Sequence, residues 1–344
     1  MLSVTAIFHS LQLRDPFTIA RYTVTQQVTM IVTISDGEVE GYGEATVNPY
    51  YNSTVQKMTE SIAQVIPIFK DLKENLHPSD LWEQLLQVLP NDFFALCAVD
   101  VAYWDYYARK KKRTLRSFWS DSDQTPLSNY TIGIDATSKM KAKILAKPWP
   151  LYKIKLGTDQ DLAIIEQLRA ITDSLFRIDA NCAWRLEDVV TLSRKLKQNN
   201  VQFIEQPLPA DAWEAMRGLK TTSHLPLIAD ESCQREEDVS RCTEGFHGVN
   251  IKLMKCGGIT PALRMIEEAR SLDLKVMMGC MTESSIGISA IAQLAPLLDY
   301  LDADGAMLLK DDVATGINFD DGKIVYANSY GSGATYHAHT YVIE

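Results

Sequence analysis

LYKIKLGTDQDLAIIEQLRAITDSLFRIDA, residues 151–180, holds one full repeat of the pattern that decides the fold. A short apolar run, YKIKLG, leads into a helical pattern, and a second apolar run, LFRIDA, closes the unit. Alternation along a strand sends residues i and i+2 to one face. Lys153 and Lys155 therefore point one way, and Tyr152, Ile154 and Leu156 the other. The same rhythm recurs in NYTIGI (129–134), QFIEQP (202–207), PLIADE (226–231), VNIKLM (249–254), KVMMGC (275–280) and YLDADG (300–305). The runs begin roughly 22–27 residues apart, the length of a βα unit with short loops. Eight such units, with no Gly-rich phosphate loop after the first, predict a closed parallel α/β barrel rather than an open doubly wound sheet.

Residues 1–125 read as a separate α+β domain, and residues 126–314 as the barrel. MIVTISDGEVEGYGEA is a hairpin turning at Asp36-Gly37. TVQKMTESIAQVIPIFKDL and SDLWEQLLQVL have helical spacing, the second with a Ser/Asp cap after a proline. FFALCAVDVAYWDYYARKK reads as a long amphipathic helix with a basic, solvated end. The tail, residues 315–344, contains ATGINFDDGKIVYANSYGSG, a further hairpin expected to return to the N-terminal domain.

The chain has 344 residues, 46% hydrophobic and 23% charged, with a net charge of −10. That balance argues against a nucleic-acid partner, which needs a basic surface. No apolar run is long enough for a membrane span, and MLSVTAIFHSLQLRDPF, which lacks a basic region followed by an apolar core, is not expected to act as a signal peptide. Six scattered cysteines without CxxC spacing fit a reducing, cytoplasmic setting. The two histidines of YHAHT (336–340) have no partner in the pattern and are read as incidental.

Barrel active sites lie at the C-terminal strand ends. The second strand ends on Lys153 and Lys155, the third on Asp179, the fourth on Glu205 and the fifth on Asp230 and Glu231. The sixth carries Lys252, with Asn250 and Met254 of the same parity, and the eighth carries Asp302 and Asp304. Cys280, at the end of the seventh, is expected to line the pocket. A role as helix caps for Asp179, Glu205 and Asp230 suits Glu205 poorly, since Glu is not a favoured cap. Carboxylates crowded at one mouth raise one another's pKa, and a divalent cation removes that penalty. Mg²⁺ takes hard oxygen ligands and keeps positions for substrate. Lysines from strands on opposite sides of the ring then flank the metal. A substrate carboxylate on Mg²⁺ makes the neighbouring C–H acidic through a metal-stabilised enediolate. One lysine takes that proton and the other returns one to the opposite face, inverting the carbon. Positive charge from Lys153 and the metal is expected to depress Lys155 toward neutrality, as a general base needs.

These segments resemble the enolase superfamily, whose members pair a Lys base with Mg²⁺. KIK is similar to the KxK signature of its muconate lactonizing enzyme subgroup, and RIDANCAW, FIEQP and IADES to the metal-ligand segments. VNIKLMKCGG resembles the segment of the second catalytic lysine, here Lys252, with Lys255 as its supporting neighbour. LDADGAMLL and MMGCMTESS resemble dipeptide epimerases of the Ala-Glu type. The resemblance implies a modified (β/α)7β TIM barrel with a capping domain that the tail completes. It implies a Mg²⁺-dependent isomerase: a dipeptide epimerase acting on the C-terminal residue of a substrate such as L-Ala-D/L-Glu by 1,1-proton transfer. Lys155 and Lys252 would be the acid/base pair, Lys153 a supporting charge, and Asp179, Glu205 and Asp230 the metal ligands. Asp302 and Asp304 would hold the substrate ammonium. Gly305 and Ala306 depart from the family's usual small residue and proline. PFTIARYT resembles the mobile cap loop whose arginine meets the substrate side chain, with Arg21 the nearest match. Family members often form homo-oligomers. Cycloisomerase, o-succinylbenzoate synthase and N-acylamino acid racemase activities, and a noncatalytic ligand-binding barrel, stay open alternatives.

Overall fold

The computed structural model describes residues 2–70, 72, 76–122 and 124–337. His339, half of the YHAHT pair, lies outside them. The chain opens with an antiparallel three-stranded sheet, β1 (Ser3–Thr18), β2 (Thr23–Ser35) and β3 (Glu40–Thr46). The turn between β2 and β3 holds Gly37 at φ 93°, as the Asp-Gly signal predicts. Helices α1 (Val55–Lys70), α2 (Pro78–Val88) and α3 (Phe93–Lys110) follow.

Two local readings change here. The cap of α2 is His77, whose ring accepts from Ser79 N, and Pro78 occupies the first turn. Proline needs no N–H donor there, so the helix starts one position before the Ser/Asp pair. Helix α3 is not amphipathic but buried around most of its circumference, including Asp100, Tyr103, Trp104 and Asp105. It packs on the cap sheet on one side and on barrel helices on the other. The sheet comes so close that a Cβ on Gly43 would lie 2.0 Å from Ala98 O.

Eight parallel strands then alternate with helices: β4 (Tyr130–Ile132), α4 (Thr137–Ala146), β5 (Leu151–Lys155), α5 (Asp161–Arg169), β6 (Leu175–Asp179) and α6 (Leu186–Lys197). Next come β7 (Val201–Glu205), α7 (Trp213–Thr222), β8 (Leu227–Ala229), α8 (Glu236–Cys242) and β9 (Gly248–Ile251). The series ends with α9 (Leu253–Cys256), α10 (Ile259–Ser271), β10 (Lys275–Met278), α11 (Ser285–Leu294) and β11 (Tyr300–Leu301). Each strand pairs with the next in sequence order, and a Ser128–Leu301 bridge joins the last strand to the first. This is the (β/α)7β barrel expected. The strands end sooner than the apolar runs do, because the chain turns into loop to present polar groups at the mouth. Met254 is a consequence: it lies in α9, not in a strand, and meets Thr46 of the cap rather than sharing the face of Lys252.

Cap carboxylates seat two barrel helices. Asp100 accepts from Thr260 N and Oγ1 at the start of α10. Glu44 accepts from Ser284 N and Gly287 N at the start of α11. Both place acceptor oxygens at a helix N-terminus, where the first N–H groups have no partner within the helix. Gly258, at φ 123°, is needed beside the first, since a Cβ there would lie 2.3 Å from Asp100 Oδ2. The tail forms β12 (Ala314–Thr315), β13 (Asn318–Asp320), β14 (Lys323–Val325) and β15 (Thr335–Tyr336). Ser332 N donates to Asp105, and the Tyr336 ring packs edge-on to Tyr42, so the tail lies on the cap. Among the described residues no helix is long and apolar enough to cross a membrane.

Candidate active site

Parallel pairing carries β5, β6 and β7 forward in register, with Lys155 opposite Asp179 and Asp179 opposite Glu205. Asp230 follows β8 directly. Asp179, Glu205 and Asp230 are buried and offer oxygens that all lie within 4.8 Å of one another. Three like charges at this spacing repel strongly in a low-dielectric site. Burial and the charge of Asp179 push Glu205 up to about 8. Glu205 Oε1 accepts from Asn250, while Oε2, with Lys153 Nζ 2.8 Å away, has no hydrogen bond of good geometry. Three converging hard oxygens, one of them short of a donor, fit a divalent cation such as Mg²⁺.

Four ammonium groups surround these carboxylates. Lys153 Nζ lies 3.1 Å from Asp179, 2.8 Å from Glu205 and 2.8 Å from Asp302. Burial opposes its charge, but those three anions outweigh burial and hold it well above the usual lysine value. Lys155 Nζ lies 2.6 Å from Asp179 on one flank, and Lys252 Nζ 2.8 Å from Asp230 on the other. Burial likewise opposes Lys252, and Asp230 raises it. For Asp179 the counterweight to burial is Lys155 and Lys153, which hold it below the usual carboxylate range. β5 and β9, the strands that bring the two flanking lysines, stand four places apart in the ring of eight. Lys255 does not act through strand parity. It projects from α9 to Asp230 Oδ1 at 2.7 Å and to the carbonyls of Asp230, Cys233 and Asn250.

Asp302 and Asp304 leave β11 at the barrel seam. Asp302 accepts from Lys153 and from Asn129, and Asp304 from Thr131 N. Burial and the neighbouring Asp302 push Asp304 up to about 7. Cys280 joins this pair, with one ligand atom of each residue within 4.8 Å of the others. Burial pushes its thiol well up, as do the two aspartates.

Lys153, Lys155, Asp230, Lys252, Cys280, Asp302 and Asp304 line one pocket, with Asp179, Glu205 and Lys255 set behind its wall, and the cap closes it with Ile19, Arg21 and Tyr22 of the β1–β2 loop and with Asn48, Tyr50 and Tyr51. Arg21, the expected side-chain contact, donates to Glu231 Oε1 at 2.7 Å and to Asn181 O at 2.8 Å. Its guanidinium lies 4.3 Å from the Tyr50 ring centroid. Reading strand ends left four residues without a role. Glu231 was visible beside Asp230, but its partner sits 210 positions away. Asn129 and the Tyr50-Tyr51 pair carry no periodic or spacing signal at all.

Two family models cover most of the chain. Residues 1–118 match "Mandelate racemase / muconate lactonizing enzyme, N-terminal domain", and residues 136–339 match "Enolase C-terminal domain-like". An L-Ala-D/L-amino acid epimerase of Flavobacterium johnsoniae is 49% identical over 328 residues, 95% of this chain and 97% of that protein. The substrate-liganded L-Ala-D/L-Glu epimerase of Bacillus subtilis superposes with TM-score 0.90 at 26% identity, covering 97% of this chain and 98% of that one. A dipeptide epimerase of Enterococcus faecalis, complexed with Mg and L-Leu-L-Tyr, superposes with TM-score 0.89 at 26% identity, covering 97% and 99%.

Proposed function

The chain belongs to the mandelate racemase and muconate lactonizing enzyme family of the enolase superfamily, and on that premise we propose a Mg²⁺-dependent dipeptide epimerase. It is an isomerase that inverts the α-carbon of a dipeptide's C-terminal residue. The observation that carries the reading is the lysine placement: Lys155 and Lys252 flank the carboxylate triad from opposite sides, with an aspartate pair at the seam beyond. Binding alone needs no base on either face.

Asp179, Glu205 and Asp230 would hold Mg²⁺, which when bound supplies electrostatic stabilisation of charge gathering on the substrate carboxylate. Asp302 and Asp304 take the free ammonium, which fixes the substrate's direction and leaves its α-carbon between the two lysines. Acylated amino acids, muconates and succinylbenzoates lack that ammonium and would leave the pair unused. One lysine, neutral, accepts the α-proton, and the other, charged, delivers a proton to the opposite face. Their protonation states are exchanged after turnover, so the reaction runs from either epimer. Lys153, fully buried among three carboxylates, supplies fixed positive charge and does not move a proton. Arg21, Tyr50 and Tyr51 close the cap over the site and exclude water. In this division residues 126–314 carry the chemistry, and residues 1–125 with the tail cover it.

The test is incubation of L,L-dipeptides with Mg²⁺ in D₂O. Deuterium is expected at the C-terminal residue's α-carbon, together with the second epimer. Absence of exchange across a broad dipeptide panel overturns the reading.

A further inference from the structure

Glu231 is almost fully buried, and its Oε2 has no hydrogen-bond partner. Its Oε1 receives Arg21, at 2.7 Å, and Asn181 Nδ2 at 3.4 Å. Arg21 is the one cation that the cap places among the described residues lining the pocket. The remaining cap lining nearby is uncharged: Ile19, Tyr22, Tyr50 and Tyr51.

The pair lies beside Asn181, after β6, and Asp230, after β8, while the ammonium-binding aspartates follow β11. A dipeptide anchored by its ammonium at Asp302 and Asp304, and by its carboxylate at the triad, directs its C-terminal side chain toward Arg21 and Glu231. This placement rests on the dipeptide epimerase reading. An acidic side chain arriving there meets an arginine whose charge Glu231 already balances, with an unpaired carboxylate oxygen behind it. A basic side chain meets the same balanced pair from the arginine side.

We propose that Arg21 and Glu231 form a charge-balanced wall that makes the site favour uncharged C-terminal side chains, each residue masking the charge preference of the other. Glu231 is thereby a specificity residue, although it need not touch the substrate. The proposal predicts a reciprocal outcome. Removing the charge of Glu231 exposes Arg21 to acidic side chains, and removing Arg21 exposes Glu231 to basic ones.

The experiment uses L-Ala-L-Gln, L-Ala-L-Glu and L-Ala-L-Lys with the wild type, Glu231→Gln and Arg21→Met. Dissociation constants are measured calorimetrically with Mg²⁺ present, and kcat/KM by α-proton exchange. The wild type should favour the glutamine dipeptide over both charged ones. In Glu231→Gln the Glu/Gln ratio should rise about tenfold, and in Arg21→Met the Lys/Gln ratio should rise about tenfold. Ratios within one variant cancel any general loss of metal affinity, and Arg21→Met leaves the barrel residues intact if Glu231→Gln folds poorly. A wild type that prefers the acidic dipeptide, or ratios that stay put in both variants, overturns the proposal. Dipeptide binding in this order without exchange would overturn the epimerase reading and uphold the wall. Absence of binding by any dipeptide overturns both.

Discussion

Asn129 Nδ2 donates to Asp302 Oδ1 over 2.7 Å, across the seam where the last barrel strand meets the first. The Asn129 carbonyl in turn accepts from Arg177, which also holds Leu301 O. Barrel closure and the proposed ammonium site therefore share one hydrogen bond. Asn129→Ala removes a bond to a charged acceptor, worth about 1.5–3 kcal/mol. KM for a dipeptide should rise about tenfold or more while kcat changes little. An unchanged KM in steady-state kinetics would show that Asp302 is positioned by Lys153 alone.

Lys155 and Lys252 stand on opposite flanks, and in the proposed mechanism each serves one epimer as base. Lys155→Ala and Lys252→Ala should each abolish epimerisation, with a loss of at least about a thousandfold. Each variant should still wash the α-proton of a single epimer, the one facing the lysine that remains. NMR in D₂O with each pure epimer checks this, and full epimerisation in either variant contradicts the two-base assignment.

Among the triad, Glu205 and Asp230 differ in what their loss leaves behind. Glu205→Gln keeps an acceptor for Asn250, and Lys153 keeps Asp179 and Asp302. Asp230→Asn takes the carboxylate away from Lys255, whose ammonium is fully buried. An uncompensated buried charge costs about 3–5 kcal/mol. Both variants should lose the rise in Tm that Mg²⁺ gives the wild type by mass action. Only Asp230→Asn should also melt several degrees lower without metal. Thermal unfolding with and without Mg²⁺, after chelation, separates the two effects.

Asp100 offers a pH test away from the carboxylate triad. Burial pushes its carboxyl up to about 7, against 3.8 for an ordinary aspartate, even though Thr260 and Arg264 favour the charged form. Between those values the folded protein holds a proton that the unfolded chain has released. Stability contributed by this group therefore falls as pH rises from about 4 to about 7, by up to a few kcal/mol. Asp100→Asn should flatten that part of the stability curve. Denaturant unfolding of both proteins at pH 5 and pH 8 reads the difference, and an equal pH dependence in the two would place the titration elsewhere.

Strand ends were legible because the period of a strand and the length of a βα unit are written locally. KIK, LFRID, FIE and LIAD show which side chains reach the mouth, and the barrel brings those positions together. Local reading failed where tertiary packing overrode it. Helix α3 looks amphipathic because its polar residues are read as solvated, yet Asp100 and Asp105 are buried on partners from the barrel and the tail. A strand's alternation would put Met254 on the face of Lys252, but the chain turns helical after Lys252, so Met254 meets Thr46 of the cap while Lys255 reaches Asp230 from another direction.

The sequence by itself determined the eightfold βα order, the carboxylate triad, the flanking lysines and the aspartate pair. All follow from short-range periodicity read through one topology. The tertiary structure alone decided that Asn129 orients Asp302 and that Glu231 claims Arg21, pairs separated by 173 and 210 positions. The reason is physical: periodicity tells which face a side chain takes, whereas a buried charge takes whichever partner the fold brings within hydrogen-bond reach.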